Sequence, residues 1–155
     1  MAQILERLTV DCSIVVKWKI TAEDHADAAE ELLFDWQQQA VELCAPTLLQ
    51  AEIMSAFLRA HRRGRVSAEE AKEAIGDLLT LPFRLLDIAS VATRAFEIAQ
   101  QHNERSYDCI YVALAEREGL ELWTGDQRLY NALHTHCGFV RWIADYQRKR
   151  PWPVA

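Results

Sequence analysis

The stretch SYDCIYVALAE, Ser106 to Glu116, constrains the fold more than any other part of the sequence. Its centre, from Ile110 to Ala115, is continuously apolar, so a helix formed here is apolar on nearly every side and belongs inside a core. One acid, Asp108, nevertheless falls in the first turn of this helix. It either stabilises the helix N-terminus, where the macrodipole favours negative charge, or it has a chemical role.

The rest of the chain alternates short apolar segments with helical stripes. The segments at 4–10, 41–45, 83–87, 120–124 and 138–142 predict strands. Three sets of apolar residues at helical spacing predict helices: Ala29, Leu32, Leu33, Trp36 and Ala40; Leu49, Ile53, Ala56, Phe57 and Ala60; and Ile88, Ala92, Ala95, Phe96 and Ala99. A capping box at Ser67–Glu70 predicts a further helix that runs toward Leu81 and stops at Pro82.

This alternation predicts an α/β fold, a single-domain three-layer α/β/α sandwich with a parallel sheet. No Gly/Ser/Pro-rich linker divides the 155 residues. We therefore expect one domain over residues 1–147, followed by a short C-terminal tail at 148–155. No secretory or membrane-spanning segment is evident, so we expect a cytoplasmic protein without membrane contact.

The net charge of −6 argues against a protein that grips nucleic acid with its whole surface. Any contact with nucleic acid must then be local. Two basic runs could make such a local contact. The first contains Arg59, Arg62, Arg63 and Arg65, and the second contains Arg148, Lys149 and Arg150. The first run is equally typical of a helix C-terminus with Gly64 beyond it, and the second of a solvated tail.

Four acids are expected at one edge of the sheet. Asp11 directly follows the first strand, Asp126 follows the strand at 120–124, Asp108 starts the buried helix, and Glu52 borders an apolar stripe. Each has an ordinary alternative, such as an N-cap, a first-turn acid, a turn residue or a solvated flank. Together they would repel one another unless a cation lies between them. Because only carboxylates are involved, Mg²⁺ or Mn²⁺ is the candidate.

The pieces VDCSIVVKW, APTLLQAEIMSAFLRA, SYDCIYVALAE and LWTGDQRLYNAL together resemble the PIN-domain ribonucleases, and within them the VapC-type toxins of toxin-antitoxin pairs. The resemblance covers nearly the whole chain, and Cys109 is a mild departure from its pattern. The resemblance implies a parallel α/β/α sandwich, Mg²⁺- or Mn²⁺-dependent cleavage of RNA, a homodimer and an antitoxin partner. Carried over by position, the catalytic and metal-binding acids are Asp11, Glu52, Asp108 and Asp126, accompanied by the hydroxyl residues Ser13 and Thr124.

In this hypothesis Asp11 and Asp108 are the principal metal ligands, Asp126 completes the set, and Glu52 binds metal through water or orients the nucleophile. Ser13 and Thr124 would hold the acids or the phosphate, or act only as caps. The arginines Arg62, Arg63 and Arg65 would orient the RNA backbone.

Two other classes of function remain open. A phosphoaspartyl hydrolase or transferase would use Asp11 as its nucleophile, although Ser13 stands where such enzymes usually have a second acid. A catalytically silent binding module would use the fold for protein contacts alone.

Three tryptophans, Trp18, Trp36 and Trp152, are either partly buried or part of a protein interface.

Overall fold

The computed structural model describes residues 5–151. At its centre is a parallel sheet of five strands in the order β3-β2-β1-β4-β5. The strands are β1 (Glu6–Val10), β2 (Val41–Pro46), β3 (Arg84–Leu86), β4 (Glu121–Thr124) and β5 (Val140–Trp142). All five predicted strands are therefore present, each at or within a few residues of its expected bounds.

Helices connect the strands. They are α1 (Cys12–Lys17), α2 (Ala26–Gln37), α3 (Leu48–Arg62), α4 (Ala68–Leu79), α5 (Ala92–His102), α6 (Ser106–Glu118) and α7 (Gln127–Leu133), and a 3-10 turn, Ile143–Asp145, follows β5. In β1 the consecutive residues from Leu8 to Val10 are buried, although neighbouring side chains point to opposite faces of the sheet. Both faces are thus covered, which confirms the predicted α/β sandwich.

The most apolar helix, α6, lies in the middle of the core. It packs against β1, β2 and β4, and every residue from Cys109 to Ala115 is buried. Nearly all of its circumference is covered, as the sequence predicts. The residues before this segment, including Asp108, are more exposed and lie at the carboxyl edge of the sheet.

Several local predictions need correction. The six-residue helix α1 was not predicted, because it is too short to show a helical period. Ala40 lies beyond the end of α2, in the turn that leads to β2, and Ile88 lies ahead of α5. Phe96 is 64% exposed, since the buried face of α5 is formed by Ala95 and Ile98 instead.

Two helix termini agree with their sequence signals. Ser67 caps α4 with both reciprocal hydrogen bonds of the capping box, 3.0 Å from the Glu70 N–H to Ser67 Oγ and 2.7 Å from the Ser67 N–H to Glu70 Oε2. After α3, Gly64 adopts φ +72°, the left-handed conformation that glycine tolerates best.

The basic run at Arg148 to Arg150 is attached to α2 through a buried acid. The carboxylate of Asp35 accepts hydrogen bonds from the Tyr146 hydroxyl at 2.7 Å and from the backbone N–H groups of Lys149 at 2.7 Å and Arg150 at 3.1 Å. Asp35 is fully buried. The backbone of this run is therefore anchored, which differs from the solvated tail considered above.

Two of the tryptophans are packed within the molecule. Trp18 and Trp36 form an aromatic cluster with Phe83, and Trp18 Nε1 donates to the Ala29 carbonyl at 2.8 Å. Both indoles are half-buried, in agreement with the simpler alternative. Trp152 lies outside the described residues. None of the helices in residues 5–151 is both long and apolar enough to cross a membrane.

Candidate active site

The ends of two neighbouring strands bring the first and last acids to one edge of the sheet. Strands β1 and β4 pair in parallel, with Val10 opposite Trp123. Asp11 follows β1 and caps α1, while Asp126 follows β4 and caps α7. The capping alternative is therefore correct for Asp126, and Asp11, for which a turn residue was the alternative, is a cap as well. A cap, however, uses only part of a carboxylate. Both side chains also face a common cavity.

This cavity has a volume of about 370 Å³ and is lined by all four predicted acids. Asp108 reaches it from the first turn of α6, and Glu52 from the border of the buried face of α3. Ser13 also lines it, whereas Thr124 is fully buried behind Asp11. Of the predicted arginines, Arg63 and Arg65 line the cavity, and Arg62 is not among the described residues that do so.

Hydroxyl groups hold the Asp11 carboxylate. Oδ1 accepts hydrogen bonds from the backbone N–H of Ser13 at 3.1 Å and from Ser13 Oγ, and Oδ2 accepts one from Thr124 Oγ1. Ser13 Oγ in turn accepts from the Gly125 N–H at 2.8 Å, and Thr124 Oγ1 accepts from the Asp126 N–H at 3.0 Å. The two hydroxyls thus connect the loop after β1 with the loop after β4.

Asp11 is unusually basic for an aspartate. Burial raises its pKa to about 7, hydrogen bonds from Ser13 and Thr124 oppose this shift, and the negative charges of Asp108 and Asp126 add to it. Only 6% of the residue is exposed. Because removing an unpaired carboxylate from water is costly, the proton is retained to a higher pH.

An arginine from α7 pairs with two of the cavity acids. Arg128, in the first turn of α7, places Nη2 2.7 Å from Asp108 Oδ2 and 3.8 Å from Asp126 Oδ2. Its other terminal nitrogen pairs with Glu104 in the turn before α6. Burial and the charge of Asp126 raise the pKa of Asp108, while Arg128 and Arg105 act in the opposite direction.

Glu52 carries a buried oxygen without a hydrogen-bond partner. Within residues 5–151, Oε1 accepts no hydrogen bond in strict geometry, although the Tyr111 hydroxyl is a close neighbour. Burial raises the pKa of Glu52, and Asp108 adds to the shift, whereas Tyr111 and Arg59 counter it. A buried oxygen left in this way is expected to gain a ligand or water when the site is filled.

Comparison with known proteins decides the family. The model of the PIN domain family matches residues 8–133, which is most of the chain. The chain belongs to the PIN domain family. Ribonuclease VapC3 of Pyrobaculum aerophilum is 32% identical over 126 residues, covering 79% of this chain and 92% of that protein. Ribonuclease VapC1 of Mycobacterium tuberculosis is 37% identical over 95 residues, covering 60% of this chain and 69% of that protein. The resemblance to VapC-type proteins is thereby confirmed.

Solved structures agree on the PIN fold. A crystal structure from Pyrobaculum aerophilum superposes with a TM-score of 0.66 at 21% identity, over 90% of this chain and 92% of that one. Mycobacterium tuberculosis VapC20, described as a sarcin-ricin loop cleaving toxin, gives a TM-score of 0.60 at 18% identity, over 81% and 95%. A toxin-antitoxin complex from Klebsiella pneumoniae gives 0.56 at 18% identity, over 81% and 92%. At these identities the likeness establishes the fold.

The residues present in this PIN domain suit a hard divalent cation. The four acids offer only oxygen donors, which Mg²⁺ and Mn²⁺ prefer, and Glu52 Oε1 is buried without a partner. In the arrangement seen here, no three His, Cys, Asp or Glu side chains of residues 5–151 are close enough together to hold an ion. Arg128 lies between Asp108 and Asp126, where its guanidinium would compete with a cation for the same carboxylates.

Sequence reasoning missed several charged residues of the PIN-domain cavity. Lys17 and Arg105 line it, and Arg128 pairs with two of its acids. Arg59 lines it too, but it belongs to the basic run identified from the sequence. A signal was present for two of the missed residues. Lys17 lies one helical turn after Ser13 and therefore on the same side of α1, and Arg128 lies two residues after Asp126. Both positions are within reach of the acids, although neither spacing is specific by itself.

Proposed function

We propose that this chain is a metal-dependent endoribonuclease that hydrolyses RNA phosphodiester bonds and acts as the toxin of a toxin-antitoxin pair. The observation that carries the proposal is the convergence of Asp11, Glu52, Asp108 and Asp126 on one cavity. Membership of the PIN family and relatives that are named ribonucleases support it.

Each acid would have a distinct part in the reaction. Asp11 and Asp108 would be the principal ligands of Mg²⁺ or Mn²⁺, Asp126 would complete the set, and Glu52 would bind through water or orient the attacking water. A bound divalent ion lowers the pKa of water and neutralises charge on the phosphoryl oxygens. Ser13 and Thr124 fix the direction of the Asp11 carboxylate through the hydrogen bonds described above.

Local positive charge supports RNA as the substrate. Arg59, Arg63, Arg65 and Arg105 all line the cavity that contains the acids. A protein with a net charge of −6 repels RNA over most of its surface, so this arginine-lined mouth is where a phosphate backbone is best accommodated. Arg62 would contribute at the rim. The cytoplasmic location expected from the sequence stays a prediction.

Titration with Mn²⁺ tests the activity. Wild type and Asp108→Asn, both freed of metal, are incubated with bulk tRNA and ribosomal RNA at increasing Mn²⁺. We expect wild type to cleave in a metal-dependent way that EDTA abolishes, and Asp108→Asn to lose about 100-fold or more, the scale on which one transition-state interaction acts. Circular dichroism controls for folding. Cleavage in EDTA, or full activity of Asp108→Asn, would contradict the metal mechanism.

A parallel incubation with a labelled small phosphoryl donor separates the alternatives. A phosphoaspartyl enzyme would leave RNA intact and become labelled on Asp11 by a small phosphoryl donor. A silent binding module would do neither.

For partners we propose a cognate antitoxin and a second copy of the chain. A toxin-antitoxin complex among the similar structures supports the first. Large apolar side chains exposed on three helices could form the interface with the second copy. They are Met54 and Leu58 on α3, Phe96 on α5 and Tyr107 on α6. We expect light scattering to give twice the monomer mass, and co-expression with a short adjacent reading frame to give a complex and relieve toxicity. A monomer would exclude the homodimer, and neither complex nor relief would exclude the antitoxin.

A further inference from the structure

Lys17 is a buried lysine inside the cavity that contains the acids. It ends the short helix α1, only 5% of the residue is exposed, and it lines the same cavity as Asp11 and Ser13. Lysine is rarely buried without a partner, because an ammonium group loses its hydration there. The surroundings of its Nζ atom therefore indicate what the residue binds.

The protein itself provides Lys17 with little compensation. Its only ion pair in residues 5–151 is with Glu23, and the distance from Nζ to Glu23 Oε2 is 3.9 Å, beyond hydrogen-bond length. The other carboxylate oxygen of Glu23 is 2.6 Å from Arg65 Nη1, so Glu23 already has a closer cation. Within this part of the chain Lys17 makes no hydrogen bond, and its ammonium group retains donors for a ligand.

Gly125 leaves the space that this lysine occupies. A Cβ atom added at Gly125 would lie 2.5 Å from Lys17 Cε and 3.4 Å from both Lys17 Nζ and Ser13 Oγ. The absence of a side chain at 125 thus lets the end of the Lys17 side chain lie against the loop after β4, on which the Ser13 hydroxyl also packs. This places a positive charge beside the hydroxyl that holds Asp11, at the wall of the cavity.

We propose that Lys17 is a phosphate-binding residue that donates a hydrogen bond to a non-bridging oxygen of the RNA phosphodiester being cleaved. This inference rests on the ribonuclease function proposed above and adds a residue to it. A compact ammonium group with free donors is a common point-charge partner for phosphate. The anionic phosphate would accept a hydrogen bond from the ammonium group, which Glu23 is too distant to do. The acids would hold the cation, which would supply positive charge to the phosphate, and Lys17 would add a second positive charge.

The test uses Lys17→Met, which keeps the length of the apolar stem and removes the charge. Its matched control is Lys19→Met, because Lys19 is an exposed lysine nearby in sequence that pairs with Asp77 at 2.6 Å. A second variant, Gly125→Ala, displaces the Lys17 ammonium group without changing the charge of the protein. Its added methyl group meets the flexible end of a side chain, so we expect the fold to persist.

Two properties are measured for each variant. Binding of end-labelled bulk tRNA is followed in EDTA at several KCl concentrations, where the slope of log affinity against log salt falls by about 0.7 to 0.9 for each phosphate that the protein no longer neutralises. Single-turnover cleavage of the same RNA is followed in Mn²⁺. For Lys17→Met we expect the salt slope to fall by about 0.7 to 0.9, the contribution of one phosphate contact. We also expect it to cleave about 10- to 1000-fold more slowly. Gly125→Ala should change in the same direction, and Lys19→Met should match wild type.

A lysine that only offsets the charge of the acids would give a different result. Lys17→Met would then change thermal stability or Mn²⁺ affinity while keeping the salt slope of Lys19→Met, and this outcome overturns the inference. The ribonuclease proposal fails separately, if wild type itself neither binds nor cleaves RNA. Wild-type cleavage together with normal cleavage by both Lys17→Met and Gly125→Ala overturns the role of Lys17 alone.

Discussion

The two halves of the candidate site neutralise their carboxylates by different means. Asp11 is buried and accepts hydrogen bonds from the hydroxyls of Ser13 and Thr124, with no cation within ion-pair distance in residues 5–151. The side chains of Asp108 and Asp126 are 22% and 31% exposed, and Arg128 spans them. The Asp11 carboxylate is therefore stabilised by the dipoles of neutral hydroxyl groups, whereas Asp108 and Asp126 are stabilised by the positive charge of Arg128.

This difference decides what a metal ion must displace in each half. At Asp11 the competitor is a proton, because burial raises the pKa of this acid to about 7. At Asp108 and Asp126 the competitor is the guanidinium of Arg128, which remains charged at any accessible pH. Metal binding at the first half should thus depend on pH near neutrality, and at the second on the strength of a partly exposed ion pair.

The largest expected effect concerns Asp11→Asn in the absence of metal. Because the pKa of folded Asp11 is raised from 3.8 to about 7, the unfolded chain ionises this acid between these values while the folded protein retains the proton, so the free energy of unfolding falls as pH rises. Well below pH 4 both the folded and unfolded forms are protonated and the penalty disappears, and at pH 4 only a small part of it remains. We expect Asp11→Asn to be about 2 to 4 kcal/mol more stable than wild type at pH 8 and nearly equal to it at pH 4.

Urea unfolding in EDTA at the two pH values measures this effect. The substitution should at the same time remove metal-dependent RNA cleavage, so stability and activity move in opposite directions. Asp126→Asn serves as the comparison from the more exposed half, and we expect it to gain much less at pH 8. Equal gains for Asp11→Asn and Asp126→Asn would remove the distinction between the halves.

The sequence predicts one half of this arrangement better than the other. Asp11 directly follows a strand and Asp126 follows one after a single glycine, and parallel strands end at a common edge, so their proximity follows from the element order. Ser13 and Thr124 accompany them because each lies two residues away in sequence, Ser13 in the first turn of α1 and Thr124 at the end of β4. The acids are consequently found from local spacing and the rule that parallel strands share an edge.

The resident cations were not found, because their interactions depend on packing between distant elements. Arg128 reaches Glu104, which lies in the turn between α5 and α6, and Lys17 is enclosed by the loop that contains Gly125. Phe96 was misplaced for a similar reason. Its spacing on α5 fits an apolar stripe, but the orientation of the helix against α6 buries Ala95 and Ile98 instead.

A smaller effect is expected for Arg128→Gln. Removing the guanidinium frees Asp108 and Asp126, so Mn²⁺ no longer has to displace it. Arg128 is 41% exposed, and ion pairs of this kind contribute less than about 1 kcal/mol, so we expect a gain of about two- to five-fold in Mn²⁺ affinity. The metal-free protein should become slightly less stable, because the side chain of Glu104, only 8% exposed, loses its partner.

Isothermal titration with Mn²⁺, without RNA, measures this gain. The matched control is Arg94→Gln, which makes the same charge change at an exposed arginine paired with Glu97 and Glu116 on the helices α5 and α6. Any long-range effect of one lost positive charge is then shared by both variants. If Arg94→Gln and Arg128→Gln bind Mn²⁺ equally well, Arg128 does not compete with metal. The two halves would then differ only in the burial of Asp11, and the proton on that acid would be the sole barrier to loading the site.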